Sequence, residues 1–469
     1  MIPFFPKQIS TRAIIVYLIS LTLVSFFFIS YAMSWGFMVL GVAFVVGFFY
    51  LSAYCSKERR GVSQKEYVKS IFLWAFLIRL AWVIVSYFYY QEATGIPFEF
   101  GAADSIGYHE TGEWLTWMGF KDAMIHLFGP GTGVSLGDTG YPLYLFVLYE
   151  IFGPVIIIPR ILKALLSAYT CVLIYRIGAR TFGEDAGRMA GIMSVFMPNL
   201  IIYCGYHLKE TEMLFLEVAF MERLDYLIRS RHANFWNVLV TSVLALSLFL
   251  FRTVLGVAAV FSAATTVLLS SAPAMKKNGK RLALIGWGVL CLLVISGGTI
   301  MTEIEGYWEA RDENVVSKRY EQTRRGNQWA QYATGAVMAP MVFVLPFSTM
   351  VDVDQQYGQQ EKHGGNFIRS FMGFFAIMGV YEAFRRKKWR DFALIGSFVF
   401  AYLGVVSLSG FSNSERFLLP GLPGLILMWS YGISSLRAQT YKLLTPWCFV
   451  VIAMELAWAY FKLGSRGLF

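Results

Sequence analysis

The stretch GAADSIGYHETGEWLTWMGFKDAMIHLFGPGTGVSLGD, residues 101–138, is the polar heart of a long break in a chain that otherwise reads as lipid-soluble helix. The break begins near Gln91. It carries Glu92, Glu99, Asp104, Glu110, Glu113, Asp122 and Asp138 against a single basic side chain, Lys121. A connection this long costs ordering entropy and is either functional or disordered. Its many Trp, Tyr, Phe, Met and Ile residues argue against disorder. It therefore reads as a folded segment carrying chemistry.

Around that island the composition is that of a membrane protein. The 469 residues are 57% hydrophobic and only 15% charged, where a soluble chain carries nearer a quarter. Apolar runs long enough to cross about 30 Å of hydrocarbon lie at 13–33, 36–55, 69–90, 155–178, 187–204, 211–228, 236–251, 254–272, 282–301, 366–384, 391–408, 414–435 and 443–462. Ala13–Met33 is too long for a signal-peptide core and is expected to remain as a span. The net charge of +10 comes from short basic clusters between these runs, such as Lys57 to Lys65, Arg176 to Arg188 and Arg385 to Arg390. That is the positive-inside pattern and calls for no nucleic-acid partner. With the N-terminus inside, 91–138, 205–210, 302–332 and 409–415 fall on the external face. The count closes if 140–152 lies in the interface and 334–350, with Pro340 and Pro346, does not cross either. The expectation is an all-α polytopic bundle of about thirteen transmembrane helices, with interfacial helices in an external loop. Residues 302–332 read equally as an external cap or a solvated connector. There is no internal repeat.

Several features carry no chemistry. Cys55, Cys171, Cys204, Cys291 and Cys448 are isolated, without a metal or disulfide spacing. The five histidines show no metal-ligand spacing. Gly129–Gly133 lacks the strand–loop–helix setting of a phosphate loop and reads as a turn.

Four corners remain. On a helix beginning near Ser105, Asp104 sits at the N-cap while Glu110, Glu113 and Trp117 share one side. The bland reading is a capped helix with a solvated acidic face. Lys209-Glu210 stands at the mouth of an apolar run, and Arg416 at the outer end of another, in Ser412-Asn413-Ser414-Glu415-Arg416. Arg252 lies between two spans. Each could be a snorkelling anchor. Together, beside an acidic loop, they suit an anionic substrate, because guanidinium and ammonium groups pair naturally with phosphate oxygens.

In order and topology these motifs resemble the GT-C superfamily of integral-membrane glycosyltransferases. The chain is most similar to the branch of protein O-mannosyltransferases and the lipid A aminoarabinose transferase. The resemblance runs through Ala103-Asp104-Ser105-Ile106-Gly107-Tyr108-His109-Glu110, Gly140-Tyr141-Pro142-Leu143-Tyr144, Arg160, Lys209-Glu210 and Arg416-Phe417-Leu418-Leu419-Pro420. It implies a catalytic module over 69–435, with a catalytic loop at 91–154 and a second external segment at 302–365. Residues 1–68 would add two N-terminal spans and 436–469 a last one. It further implies inverting transfer from a polyprenyl-phosphate sugar to a lipid, glycan or protein hydroxyl, on the external face of a bacterial plasma membrane. Asp104 matches the carboxylate that activates the acceptor, with Glu110 as a second carboxylate. Arg416, Lys209 and Arg252 would hold the donor phosphate, and Tyr108, Tyr141 and Glu210 would contact substrate. Tyr141-Pro142 stands where the family often has His-Pro-Pro. No cofactor is required; a divalent metal is compatible, but no ligand set is visible. Two other readings are an O-antigen ligase or polymerase, whose large loop usually comes late in the chain, and a lipid-linked-glycan flippase, which usually shows paired halves.

Overall fold

The computed structural model describes residues 2–129, 131–230, 235–269, 348–353, 356–408, 415–464 and 467–468. The expected span at 282–301, the segment 302–332, most of 334–350 and Ser412–Ser414 lie outside them. Among the described residues the chain is helical, with only an isolated antiparallel bridge between Ala32 and Val351.

Helices α1 (Lys7–Phe27), α2 (Trp35–Glu58) and α3 (Gln64–Thr94) come first, followed by the short α4 (Ala103–Met118), α5 (Phe120–Phe128) and α6 (Gly140–Phe152). Next are α7 (Ile157–Phe182), α8 (Glu184–Phe196), α9 (Pro198–Gly205), α10 (Glu210–Arg229), α11 (Phe235–Phe251) and α12 (Thr253–Leu269). Four longer elements and one single turn follow: α13 (His363–Arg385), α14 (Ala393–Leu408), the turn α15 (Glu415–Leu418), α16 (Leu422–Ser435) and α17 (Leu444–Gly464), with further single turns at Tyr357–Gln360 and Ala438–Tyr441.

Among the described residues seven helices are long and apolar enough to cross a membrane, or eight if α8 and α9 form one bent span. The expected count of about thirteen is not confirmed: the expected span 282–301 lies outside the described residues, and among the rest three physical features lower the count. The run 187–204 is broken by 41° at Met197-Pro198, because Pro198 has no N–H and clashes with the preceding turn. α10 carries Glu210, Glu212, Glu217, Glu222 and Asp225, too many charges for an ordinary span. α11, α12 and α14 are shorter; the 17 residues of α11 or α12 rise about 26 Å.

The break at Pro198 is stitched by a buried cation. Arg79 donates to the carbonyls of Ser194 (2.9 Å) and Val195 (3.2 Å) and to Ser167 Oγ (2.7 Å). Ser194 O is the carbonyl that Pro198 leaves without its helical donor. Close helix packing comes from small residues. A Cβ on Gly432 of α16 would lie 2.0 Å from the Phe375 carbonyl of α13, so the two backbones meet where only glycine fits.

The two N-terminal helices pack into this bundle. Tyr17 Oη and His363 Nε2 are 2.7 Å apart, and a Cβ on Gly41 would strike the His363 ring at 2.1 Å. α1 also packs on α17. They thus brace the start of α13.

The polar island folds as two helices joined at Gly119, whose φ of +78° is the left-handed region that costs glycine least. α4 lays Ser105, Gly112 and Leu115 against its neighbours, chiefly α6. α6 has 13 residues, about 20 Å of rise, which is too short to cross. The described cysteines Cys55, Cys171, Cys204 and Cys448 form no disulfide.

Candidate functional site

α4 begins at Ala103, with Ala102 as its N-cap and no side-chain cap. Asp104 thus lies in the first turn rather than at the N-cap expected from the sequence, and its carboxylate is released from local hydrogen bonding. It accepts instead from Arg416 Nη1, 312 positions away. Arg416 sits on α15 and turns its Nε to Glu210 Oε1, at 2.5 Å. Glu210 opens α10 and is fully buried. Its Oε1 also lies 3.6 Å from Arg252 Nη2, and Arg252 Nη1 donates to Tyr402 Oη at 3.0 Å. The Arg252 guanidinium stacks over the Phe417 ring at 4.4 Å. Four segments that are remote in sequence therefore meet in one chain: Asp104, Arg416, Glu210, Arg252.

Lys209 stands beside it. Its Nζ contacts Asp138 Oδ1 at 2.5 Å and Gly137 O at 3.0 Å, tying the end of the polar loop to the start of α10. The Tyr108 ring is 6.0 Å from that ammonium and packs edge-on against Tyr141 at 5.0 Å. Burial pushes the Tyr108 hydroxyl well above its ordinary pKa, and the carboxylates of Asp138 and Glu210 push it further. Tyr108 is therefore a neutral hydrogen-bonding group. Burial lowers the pKa of Lys209, while Asp138 opposes that shift.

Behind Tyr141 lies a second polar layer. Lys163 Nζ is 5.0 Å from the Tyr141 ring, donates to the carbonyls of Tyr206 (2.9 Å) and Leu208, and lies 3.6 Å from Glu212. It closes the corner that presents Lys209 and Glu210. His109 Nδ1 is 2.8 Å from Tyr149 Oη, which is 3.2 Å from His207 Nε2. Burial lowers both histidine pKa values, and Lys163 and Arg160 depress that of His207 further. Arg160, fully buried, donates to Pro97 O at 2.6 Å.

The structure thus brings together Asp104, Tyr108, Tyr141, Lys209, Glu210, Arg252 and Arg416. It sets Glu110 apart, exposed on α4 with no hydrogen bond or ion pair among the described residues. Six positions on from Asp104, it points to a different side of the helix.

The sequence named Asp138 and Glu415 without giving either a role, and did not signal Tyr402 or the partners of Glu415. Asn199 Nδ2 donates to Glu415 Oε1, and Lys362 Nζ is 3.3 Å from Glu415 Oε2, anchoring the residue before Arg416. The one available signal was Lys163, an ammonium inside an apolar run, which is expensive without a partner. Among the described residues no group of three or more His, Cys, Asp or Glu side chains is placed to hold a metal ion.

No family model and no curated protein matches the sequence. Among solved structures, the chain is similar to the apo crystal structure of the Archaeoglobus fulgidus oligosaccharyltransferase. The identity is 12% and the TM-score 0.48, over 86% of this chain and 56% of that one. The chain thus spans little more than half the length of the protein it matches. So loose an overlap does not by itself assign a family.

Proposed function

We propose that this protein is a membrane-embedded glycosyltransferase of the GT-C type, moving a sugar from a polyprenyl-phosphate donor to an acceptor hydroxyl at the external face. The observation that carries the reading is the bridge from Asp104 through Arg416 to Glu210 and Arg252. It joins an accessible carboxylate to a group of cations at the end of an apolar bundle. That is the combination a lipid-linked phosphate donor and an incoming alcohol require.

An alcohol is a poor nucleophile at neutral pH, so a positioned carboxylate takes its proton as attack proceeds. Asp104 fills this role: of the four residues in the bridge it is the exposed one, with 59% of its side chain accessible, while the equally exposed Asp138 is held by Lys209. Attack on the anomeric carbon opposite the phosphate inverts configuration in one step and needs one base. The C–O bond to the phosphate breaks, the oxygen–carbon bond to the acceptor forms, and the proton passes to Asp104.

The departing polyprenyl phosphate gains charge that Arg416, Arg252 and Lys209 are placed to offset. Each cation faces a carboxylate: Arg416 and Arg252 face Glu210, and Lys209 faces Asp138. Donor phosphate would draw Arg416 from Asp104 and so free the base only once substrate is bound. Tyr108 offers an aromatic face and a hydroxyl beside this group, the buried Tyr141 packs behind it, and the polyprenyl tail would lie along the bundle.

The acceptor class, whether lipid, glycan or protein, is set by pocket shape. The test is to incubate the purified protein with a polyprenyl-phosphate sugar, with and without candidate acceptors, and to assay free polyprenyl phosphate. Release that depends on acceptor and on Asp104 supports the reading. Movement of intact donor across a bilayer without release would replace it with a flippase.

A further inference from the structure

At the far ends of α7 and α10, away from the site above, the ion pairs do not balance. Asp225 lies within 2.9 Å of Arg180 Nε and 2.7 Å of Arg229 Nε. Glu222 takes Arg180 Nη1 and Arg223 Nε, each at 3.0 Å. On α8, Glu184 takes Arg188 Nε at 2.7 Å and the Tyr175 hydroxyl at 2.8 Å. Every carboxylate that carries these pairs is thus engaged. Arg176, one turn before Arg180 on the same face of α7, pairs with no carboxylate among the described residues.

That excess charge faces an open space. A cavity of about 540 Å³ is lined by Arg176, Arg180 and Arg223, with Gln64 of α3 and Tyr226 of α10 on its walls and the engaged carboxylates of Glu184 and Glu222 beside them, so that three guanidinium groups face two acids. Its volume is in the range of small-ligand sites, about 300–1,000 Å³. Arg180 cannot swing, since it is fixed by two buried acids and also donates to the Glu222 carbonyl at 3.0 Å. Among the described residues Arg176 keeps its whole guanidinium free and Arg223 its terminal nitrogens. Planar guanidinium donors are matched to phosphate oxygens.

We propose that this cavity binds a phosphate-bearing ligand at the membrane face opposite the transfer site. Twenty residues of α7 separate Arg160 from Arg180, a rise of about 30 Å, and the basic clusters place this end in the cytoplasm. Basic pockets between helices at that face suit anionic head groups. A soluble phosphate compound presents the same oxygens. The proposal stands independently of the transferase reading.

The test uses the full chain purified in detergent and reads its thermal unfolding midpoint. One arm titrates inorganic phosphate against sodium chloride at matched ionic strength. The other compares nanodiscs of phosphatidylcholine with and without phosphatidic acid. The midpoint of the unmodified protein should rise by a few degrees in at least one arm, and Arg176→Gln should weaken the apparent affinity at least tenfold. A rise with inorganic phosphate assigns a soluble ligand; a rise with phosphatidic acid alone assigns a lipid. No rise in either arm, or an equal rise in Arg176→Gln, overturns the proposal. If that variant folds poorly, Arg176→Lys keeps the charge but loses the planar fork. Several-fold weaker binding is then expected, and unchanged binding overturns the assignment.

Discussion

Arg416 donates to the carboxylate of Asp104 across 312 positions of sequence, and the same guanidinium holds Glu210 on its other edge at 2.5 Å. One side chain therefore ties an exposed acid on α4 to a buried acid at the mouth of α10.

Replacing Asp104 separates chemistry from stability. An ion pair with so exposed a partner contributes at most about 1 kcal/mol. Asp104→Asn should therefore express and unfold like the parent protein while losing transfer. Near-normal turnover of a polyprenyl-phosphate sugar by that variant would remove Asp104 as the base.

Arg416→Lys keeps one positive charge but cannot face two carboxylates in the planar manner of a guanidinium. Losing one charge-stabilising donor typically costs about 10²–10³ in rate, so kcat/KM for the donor should fall on that order. Unchanged kinetics at limiting donor would place the phosphate elsewhere.

Glu210→Gln leaves Arg416 and Arg252 facing a neutral group in a buried setting. Breaking a buried pair by removing one partner costs about 3–5 kcal/mol. The unfolding midpoint should drop clearly further than in Asp104→Asn. Equal midpoints for the two variants would show that Glu210 is not the buried counter-charge.

The His109–Tyr149–His207 chain sets a pH dependence. Both histidines have lowered pKa values in the fold, so below the ordinary value near 6.5 the unfolded chain binds more protons than the folded one. Stability is then fully present above about pH 6.5 and declines as pH falls, approaching about 1.4 kcal/mol per pH unit for each group. Unfolding midpoints between pH 5 and 7.5 should show this decline, and His109→Gln should flatten it. A midpoint that rises on acidification would contradict the assignment.

Gly432→Ala tests the contact between α13 and α16. The added Cβ would meet the Phe375 carbonyl at 2.0 Å, so the helices must separate and the midpoint should fall by several degrees. An unchanged midpoint would mean that the helices are not held this closely.

Local physics made much of this legible in the sequence. The apolar runs, the acidic loop and the charges at the outer ends of runs follow from what lipid tolerates, residue by residue. Lys209-Glu210, Arg252 and Arg416 stood out because a charge beside an apolar run is costly without a partner, and Asp104 by its place at the head of a helix in the acidic loop. The start of α4 was misplaced by two residues, since Asp104 suits an N-cap as well as a first turn. The break at Pro198 was hidden inside a run apolar enough to pass as one span.

What the sequence by itself determined is the helical, membrane-soluble character of the chain and the identity of its exceptional charges. Only the tertiary structure decided which charges meet. It paired Arg416 with both Asp104 and Glu210, gave Lys209 to Asp138, and left Glu110 in solvent. Positions 104, 138, 210, 252 and 416 share no period that a helix or loop could express. They come together because the packing of α4, α6, α10 and α15 leaves a polar corner in which these charges find their partners.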